Sequence, residues 1–316
     1  MKKRKKLKIL TKNKSYGVMD SPFYKLKSKK KLACLLSVNT NDLYALKKDE
    51  GNYSVFEQLS KKGKSRKIQK PVDKLDVAHT RIASLLSRIA LPEYLHSGKK
   101  TCSNVTNAKA HLNHEKMMTS DIKAFFPSTT RGMIFSFFFS VMKMSSDVAD
   151  ILSHICTCHE RLPTGSRISM LLAYFANSRM FSEIDELCRK LRIKMTVYVD
   201  DLTFSGANVN RLFCSVVRKV ISKHGHNMHP TKTKLYAKDK PKLVTGVIVL
   251  GDCLKVRNEQ HRLMARDIEY WKIIKDAENA RDTPIAKTLF GRLHSMGVIE
   301  QRYKSKVLTL KFNTTN

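Results

Sequence analysis

Hydrophobic residues along this chain recur at two spacings, every second position or every third to fourth, and the switches between them outline its elements. Residues 53–59 alternate as a strand, and a basic run over 61–71, centred on Gly63, leads into a second strand, the pattern of a flexible hairpin tip. Residues 73–91 place Leu75, Ala78, Ile82, Leu85, Leu86 and Ile89 on one helical stripe, which Pro92 ends. Residues 117–126 read as a strand carrying Asp121, closed by Pro127 and the cap-like Ser128 and Thr129. Helical segments at about 131–145 and 147–158 follow, and Leu162-Pro163-Thr164-Gly165 opens a long helix to about Arg192. Residues 195–206 predict a β-hairpin with Asp200 and Asp201 at its turn, since Asp tolerates turn geometry and the flanking Val, Tyr, Thr and Phe suit a pleated strand. An amphipathic helix over 208–224, a second hairpin over 242–257, and helices at about 259–276, 284–295 and 298–311 complete the pattern. Upstream, residues 1–37 are rich in Lys and lack an apolar period until about Leu32, so they read as a basic N-terminal arm, mobile or ordered by a partner, with room for one helix. Asn39 to Asp42 then offer caps for a short helix through Leu43, Tyr44 and Leu46.

Two adjacent carboxylates repel each other unless a cation sits beside them, and Mg²⁺, which prefers carboxylate and phosphate oxygens, is the natural partner. Alone, Asp200-Asp201 also fits an ordinary acidic turn. Asp121 changes the picture, because an Asp within an apolar strand is costly to bury and must lie at the strand end, in an ion pair or on a metal. Charge points the same way: 60 Lys and Arg against 27 Asp and Glu give +33, a field that implies a polyanionic partner, nucleic acid before membrane, bound in a salt-sensitive way. A hydrophobic content of 42% with 14 Phe argues for a folded chain rather than a disordered one. The seven cysteines are irregularly spaced and include no Cys-x-x-Cys pair, and Cys156-Thr157-Cys158-His159 is too cramped for an ordinary zinc site, so reduced thiols are expected. No apolar stretch follows the basic N-terminus, and the greasiest run, 133–142, has about half the length that spans a bilayer. A cytoplasmic protein with no membrane partner is the expectation.

The order of these motifs resembles template-directed polymerases, specifically reverse transcriptases, over about residues 38 to 310. Asp121-Ile122-Lys123-Ala124-Phe125-Phe126-Pro127-Ser128 resembles the family's first metal motif, and Leu162-Pro163-Thr164-Gly165 through Ser169 its second. Tyr198-Val199-Asp200-Asp201 resembles the third, and His229-Pro230-Thr231-Lys232-Thr233 the fourth. The basic loop with Lys64 and Arg66 resembles the fingertip that holds the incoming triphosphate. Two further stretches narrow the resemblance to bacterial retron reverse transcriptases: Asn107-Ala108-Lys109-Ala110-His111 is similar to their Asn-Ala-x-x-His signature, and Val244-Thr245-Gly246 to their Val-Thr-Gly signature. The chain also ends soon after its last helices, as in the compact retron enzymes.

The resemblance implies an α+β fold of right-hand form: a basic N-terminal arm (1–37), fingers (38–116), a palm with interleaved fingers helices (117–241), and a primer-grip hairpin with helical thumb (242–316). The palm is an antiparallel sheet packed on helices. It implies RNA-directed DNA synthesis with two Mg²⁺ ions on Asp121, Asp200 and Asp201, the backbone carbonyl of Ile122 completing the coordination. Lys64 and Arg66 would clamp the dNTP triphosphate, Gly165 would belong to the nucleotide site, and Lys232 is a candidate acid for the departing pyrophosphate. Phe126 stands where the family places an aromatic gate against the ribose 2′-oxygen. Asn107, His111, Val244, Thr245 and Gly246 are expected to contact RNA. The implied partners are a cognate structured non-coding RNA, the multicopy single-stranded DNA (msDNA) made from it after priming from an RNA 2′-hydroxyl, and an effector protein of an antiphage system. Thr164, Arg167 and Val199 depart from the usual pattern, which leaves nucleotide positioning and fidelity open. Two alternatives stand: a group II intron-like or other bacterial reverse transcriptase, and a polymerase-fold RNA-binding scaffold of a defence complex.

Overall fold

The computed structural model describes residues 7–48, 50–59, 63, 65–113 and 116–312. Its elements in chain order begin with α1 (Lys29–Leu36), α2 (Asp42–Leu46), β1 (Tyr53–Leu59), β2 (Ser65–Pro71), α3 (Asp73–Leu86) and α4 (Asn104–Lys109). Next come β3 (Met117–Asp121), α5 (Phe125–Ser128), α6 (Arg131–Ser136), α7 (Ser146–Ile155), α8 (Ser169–Ala176), α9 (Ser178–Lys190), β4 (Lys194–Tyr198) and β5 (Asp201–Ser205). The remainder is α10 (Arg211–Lys223), β6 (Lys234–Tyr236), β7 (Lys242–Val244), β8 (Val247–Leu250), β9 (Cys253–Lys255), α11 (Asn258–Ile274), α12 (Pro284–Ile299) and α13 (Arg302–Phe312). The architecture is α+β with antiparallel sheets throughout.

The central sheet has the order β4-β5-β3-β6, with every neighbouring pair antiparallel. Its inner strands β5 and β3 are buried along most of their length: Met118, Leu202 and Phe204, with Val197 of the neighbouring β4, join one core with residues of α3, α7, α8, α9 and α10. A separate two-stranded ribbon, β1–β2, stands out from this core, and a three-stranded sheet, β7-β8-β9, follows it in the chain. The last three helices close over their own core, with Trp271 wholly buried among Leu289, Leu293 and Met296. Among the described residues, no helix is long and apolar enough to cross a membrane.

Several expectations are corrected. The reading of 1–37 as an arm ends by Tyr16, which bridges Ile89; Phe23, Leu26, Leu32 and Leu36 are buried in the main core. Only α1 of that stretch is periodic, capped by Ser28, whose hydroxyl accepts from Lys31 N–H. The long helix after Gly165 is two helices, α8 and α9. Asn177 separates them, turning its amide onto the Ala173 carbonyl and the Thr129 hydroxyl, a tertiary contact that outweighs the continuous apolar period. The helix expected over 131–145 is α6 followed by a π-helical turn, Phe137–Val141, along which the Phe135 and Phe139 rings stack. The strand expected to reach Phe126 ends at Asp121, because Ala124 turns into the left-handed region before α5.

Candidate functional site

Three carboxylates meet where β3, β5 and the β4–β5 turn converge. Asp121 is the last residue of β3 and lies in register with Asp201, the first of β5, while Asp200 occupies the two-residue turn between Tyr198 and Asp201. One ligand oxygen from each of the three lies within 4.8 Å of the others. Backbone bonds fix the junction: Ile122 N–H donates to the Asp200 carbonyl at 2.9 Å, and His229 N–H to the Asp121 carbonyl at 2.7 Å. Ile122 itself is wholly buried.

The turn is strained. Val199 has φ of 61°, a left-handed conformation that a β-branched side chain resists at a cost of about 1–3 kcal/mol. It is held by a neighbouring loop, whose Ser97 hydroxyl accepts from Val199 N–H at 3.0 Å, and whose His96 N–H donates to Val197 O at 2.9 Å. The branched residue at this departure from the family pattern is therefore locked from outside the hairpin.

Burial first, and then the charges of Asp200 and Asp121, push the Asp201 carboxyl up to about 6. Burial and the charge of Asp121 raise Asp200 as well. Carboxylates that are desolvated and repel one another present an oxygen-only donor set suited to a hard divalent cation such as Mg²⁺. This is the one such group among the described residues. Lys232 supplies a positive charge, with Nζ 2.6 Å from Asp121 Oδ2.

Two cavities flank the carboxylates and share Asp121 and Lys232. One, of about 600 Å³, is bounded by Arg66, Phe126, Thr164, Asp200 and His229. The other, of about 480 Å³, is bounded by Tyr198, Asp201, Thr245 and Gly246. Arg66, Phe126, Lys232, Thr245 and Gly246 thus gather around Asp121, Asp200 and Asp201; Lys64 lies outside the described residues. Phe126 stacks on Phe125, which is buried against Phe181 and His226, so the second ring anchors the first. His226 in turn bonds Ser128 Oγ at 2.8 Å and Asn177 Oδ1 at 2.7 Å.

Gly165 does not line either cavity. A Cβ there would stand 2.7 Å from the Gln69 carbonyl oxygen, and its N–H donates to that oxygen at 3.2 Å, so this glycine lets the loop press against β2. Thr164 adds a hydroxyl bond to the Lys67 carbonyl at 2.8 Å, tying down the strand that carries Arg66. Arg167 pairs with Asp76 on α3.

Asn107, His111 and Val244, expected to contact RNA, are all wholly buried, while Thr245 and Gly246 line the smaller cavity. His111 has its ring nitrogens 2.6 Å from Ser205 Oγ and 2.7 Å from Thr196 Oγ1, across the β4–β5 hairpin. Asn107 reaches Thr245. Reading the sequence missed Ser97, Asn104, Asn177 and His226, none of which sits in a patterned motif; only the fold brings them to the site.

No family model matches the chain. Among curated proteins, the retron Ec48 reverse transcriptase of Escherichia coli is 23% identical, covering 94% of this chain and 78% of that protein. The retron Se72 reverse transcriptase of Salmonella heidelberg is 25% identical over 73% of this chain, and the retron Ec86 enzyme of Escherichia coli 22% over 60%. The alignments span 64% and 59% of those two proteins, less than two thirds of each. Among solved structures, apo telomerase from Candida tropicalis, truncated from its C-terminal domain, aligns with a TM-score of 0.48 and 13% identity, covering 66% of this chain and 55% of that one. Similarity to several retron reverse transcriptases, along nearly the whole chain in one case, joins the motif order: in sequence this chain is similar to the reverse transcriptases of retrons.

Proposed function

We propose that this protein is a retron-type enzyme that holds a cognate structured RNA, starts from an RNA 2′-hydroxyl, and copies part of that RNA into msDNA. The observation that carries the reading is the cluster of three carboxylates, Asp121 and Asp201 in strand register and Asp200 in the turn beside them, with a cavity on either side. Such an arrangement gives an incoming nucleotide and a growing end each a place beside the same acidic cluster. In right-hand terms, β1–β2 belongs to the fingers, the central sheet to the palm, β7–β8 to a primer grip and α11 to α13 to the thumb.

Mg²⁺ ions held by Asp121, Asp200 and Asp201, with the Ile122 carbonyl, would lower the pKa of the attacking hydroxyl and offset charge on the phosphates. The protein's own groups do the rest. Arg66 lines the larger cavity, where a guanidinium makes paired hydrogen bonds to triphosphate oxygens, with Lys64, two residues earlier in the sequence, as its companion. The Phe126 ring fills the space that a ribose 2′-oxygen would need. The Lys232 ammonium can stabilise or protonate the departing pyrophosphate. Gly165 acts on the nucleotide through β2 rather than by touching it. The Thr245–Gly246 turn lies on the Asp201 side, where the hydroxyl-bearing end would sit. A net charge of +33 holds the nucleic acid as a whole. The reading extends to a cytoplasmic setting and to an effector protein restrained by the RNA–DNA product.

Sequencing the nucleic acid carried by the purified protein tests this. A branched species joining RNA to single-stranded DNA is expected. Intron RNA alone would place the enzyme with the group II intron-like reverse transcriptases, and RNA without any linked DNA would favour a scaffold.

A further inference from the structure

The three-stranded sheet that carries the Thr245–Gly246 turn shares no hydrogen-bonded ladder with the central sheet that carries the carboxylates. Backbone pairing therefore does not fix the distance from that turn to Asp201. The turn is also strained: Thr245 has φ of 43° and Gly246 of 86°, the two positive values of a type I′ hairpin turn, which suits Gly and disfavours a β-branched residue. Something must hold Thr245 there.

The short helix α4 does so. Asn104 Nδ2 donates to the Thr245 carbonyl at 3.1 Å, and the Thr245 hydroxyl donates to the Asn104 carbonyl at 2.9 Å. Asn107 Nδ2 donates to the same hydroxyl at 3.3 Å. Asn107 makes this contact although its own Oδ1 is buried with no hydrogen-bond partner, which carries a desolvation cost. An apolar residue would avoid that cost, so the amide's use is its grip on Thr245. One turn further on, His111 grasps β4 and β5 through Thr196 and Ser205. Ala108 packs between these ends in a small core with Met117, Val244, Val247 and Val249.

We infer that Asn104, Asn107 and His111 are positioning residues forming a brace that locks the Thr245–Gly246 turn to the carboxylate-bearing hairpin, and so sets where the hydroxyl end of the growing strand rests. This rests on the polymerase reading of the site, and it replaces direct RNA contact as the role of the buried Asn107 and His111. The turn that the brace holds lines the smaller cavity, so the brace governs the growing end and leaves the nucleotide side alone.

The test is extension of a primed RNA template, with KM measured separately for primed template and for dNTP. Thr245→Val keeps the shape and removes the hydroxyl; the expected result is a rise of about tenfold in KM for primed template, with dNTP KM changed by less than about twofold. Thr245→Ser restores the hydroxyl and should recover most of the loss. Asn104→Ala, which removes one bond at the end of α4, serves should Thr245→Val fail to fold, and should act in the same direction by about threefold. Equal rises in both KM values, a Ser variant no better than Val, or unchanged primed-template KM in the folded variants would each overturn the brace. If the wild-type protein itself did not extend a primed RNA template, the polymerase reading would fail instead.

Discussion

Two hairpins meet at the larger cavity and differ in almost every physical respect. The β4–β5 hairpin is buried along nearly its whole length, its turn is strained at Val199, and neighbouring groups hold it at Ser97, His111 and Ile122. The β1–β2 hairpin is exposed on both faces; Val55, Phe56 and Leu59 are 44%, 46% and 74% exposed beside Arg66, Lys67 and Lys70. A two-stranded ribbon is marginally stable by itself. This one is rooted at its base, where Pro71 is buried and the Tyr53 ring meets His79 edge-on, with centroids 6.2 Å apart. The contrast separates two jobs. Groups that must stay fixed to within a fraction of an ångström sit on the buried hairpin, and groups that must meet a mobile polyanion sit on the compliant one.

The contrast breaks most visibly at the buried turn. Asp200→Asn with Asp201→Asn should reduce RNA-templated extension by about a thousandfold or more while filter binding of RNA stays close to wild type, since bulk charge dominates that affinity. Comparable losses in both assays would mean that the turn only supports the fold. Phe126 lies between the hairpins and tests the cavity they share. Phe126→Ala should cut discrimination against ribonucleotides by about ten- to a hundredfold, measured as the ratio of kcat/KM for dNTP and NTP. Unchanged selectivity would remove the gate from this ring.

On the exposed hairpin the effects should be smaller and confined to binding. Arg66→Ala is expected to raise KM for dNTP by about tenfold with little change in kcat, because it removes one of several phosphate-seeking groups. A large fall in kcat would place Arg66 with the fixed groups instead. The smallest effect concerns the root of the ribbon. Burial holds the His79 ring neutral, its pKa down to about 4, between Ser166 Oγ and the Ile155 carbonyl. The unfolded chain binds the proton first, so the stability that the neutral ring contributes is complete above about pH 6.5 and is lost as pH falls towards 4. Asp201, raised to about 6, acts in the opposite sense over an overlapping range. The difference between wild type and His79→Gln therefore isolates the histidine, and the wild-type advantage in chemical denaturation should shrink between pH 7 and pH 4.

The carboxylate cluster was legible in the sequence because strand alternation and a two-residue turn fix where Asp121, Asp200 and Asp201 can go. What lay beyond reading were contacts whose partners are remote in the chain. Asn107 and His111 resemble polar surface groups until Thr245, Thr196 and Ser205 are brought to them, 138, 85 and 94 residues away. Gly165 read as part of a nucleotide motif, and only the 2.7 Å approach to Gln69 reveals that its missing side chain is the point. Phe23 and Leu26 lie isolated among lysines in a turn without periodicity, so nothing in the pattern marks them as core. The break at Asn177 depends on Thr129, which no local rule supplies.

Metal-dependent copying of RNA at the acidic turn is measured directly by wild-type extension of a DNA primer on an RNA template under Mg²⁺ titration. Deoxynucleotide incorporation should appear with added Mg²⁺ and vanish when the ion is chelated. Extension that persisted without any divalent ion, or that proceeded on a DNA template and never on RNA, would contradict it.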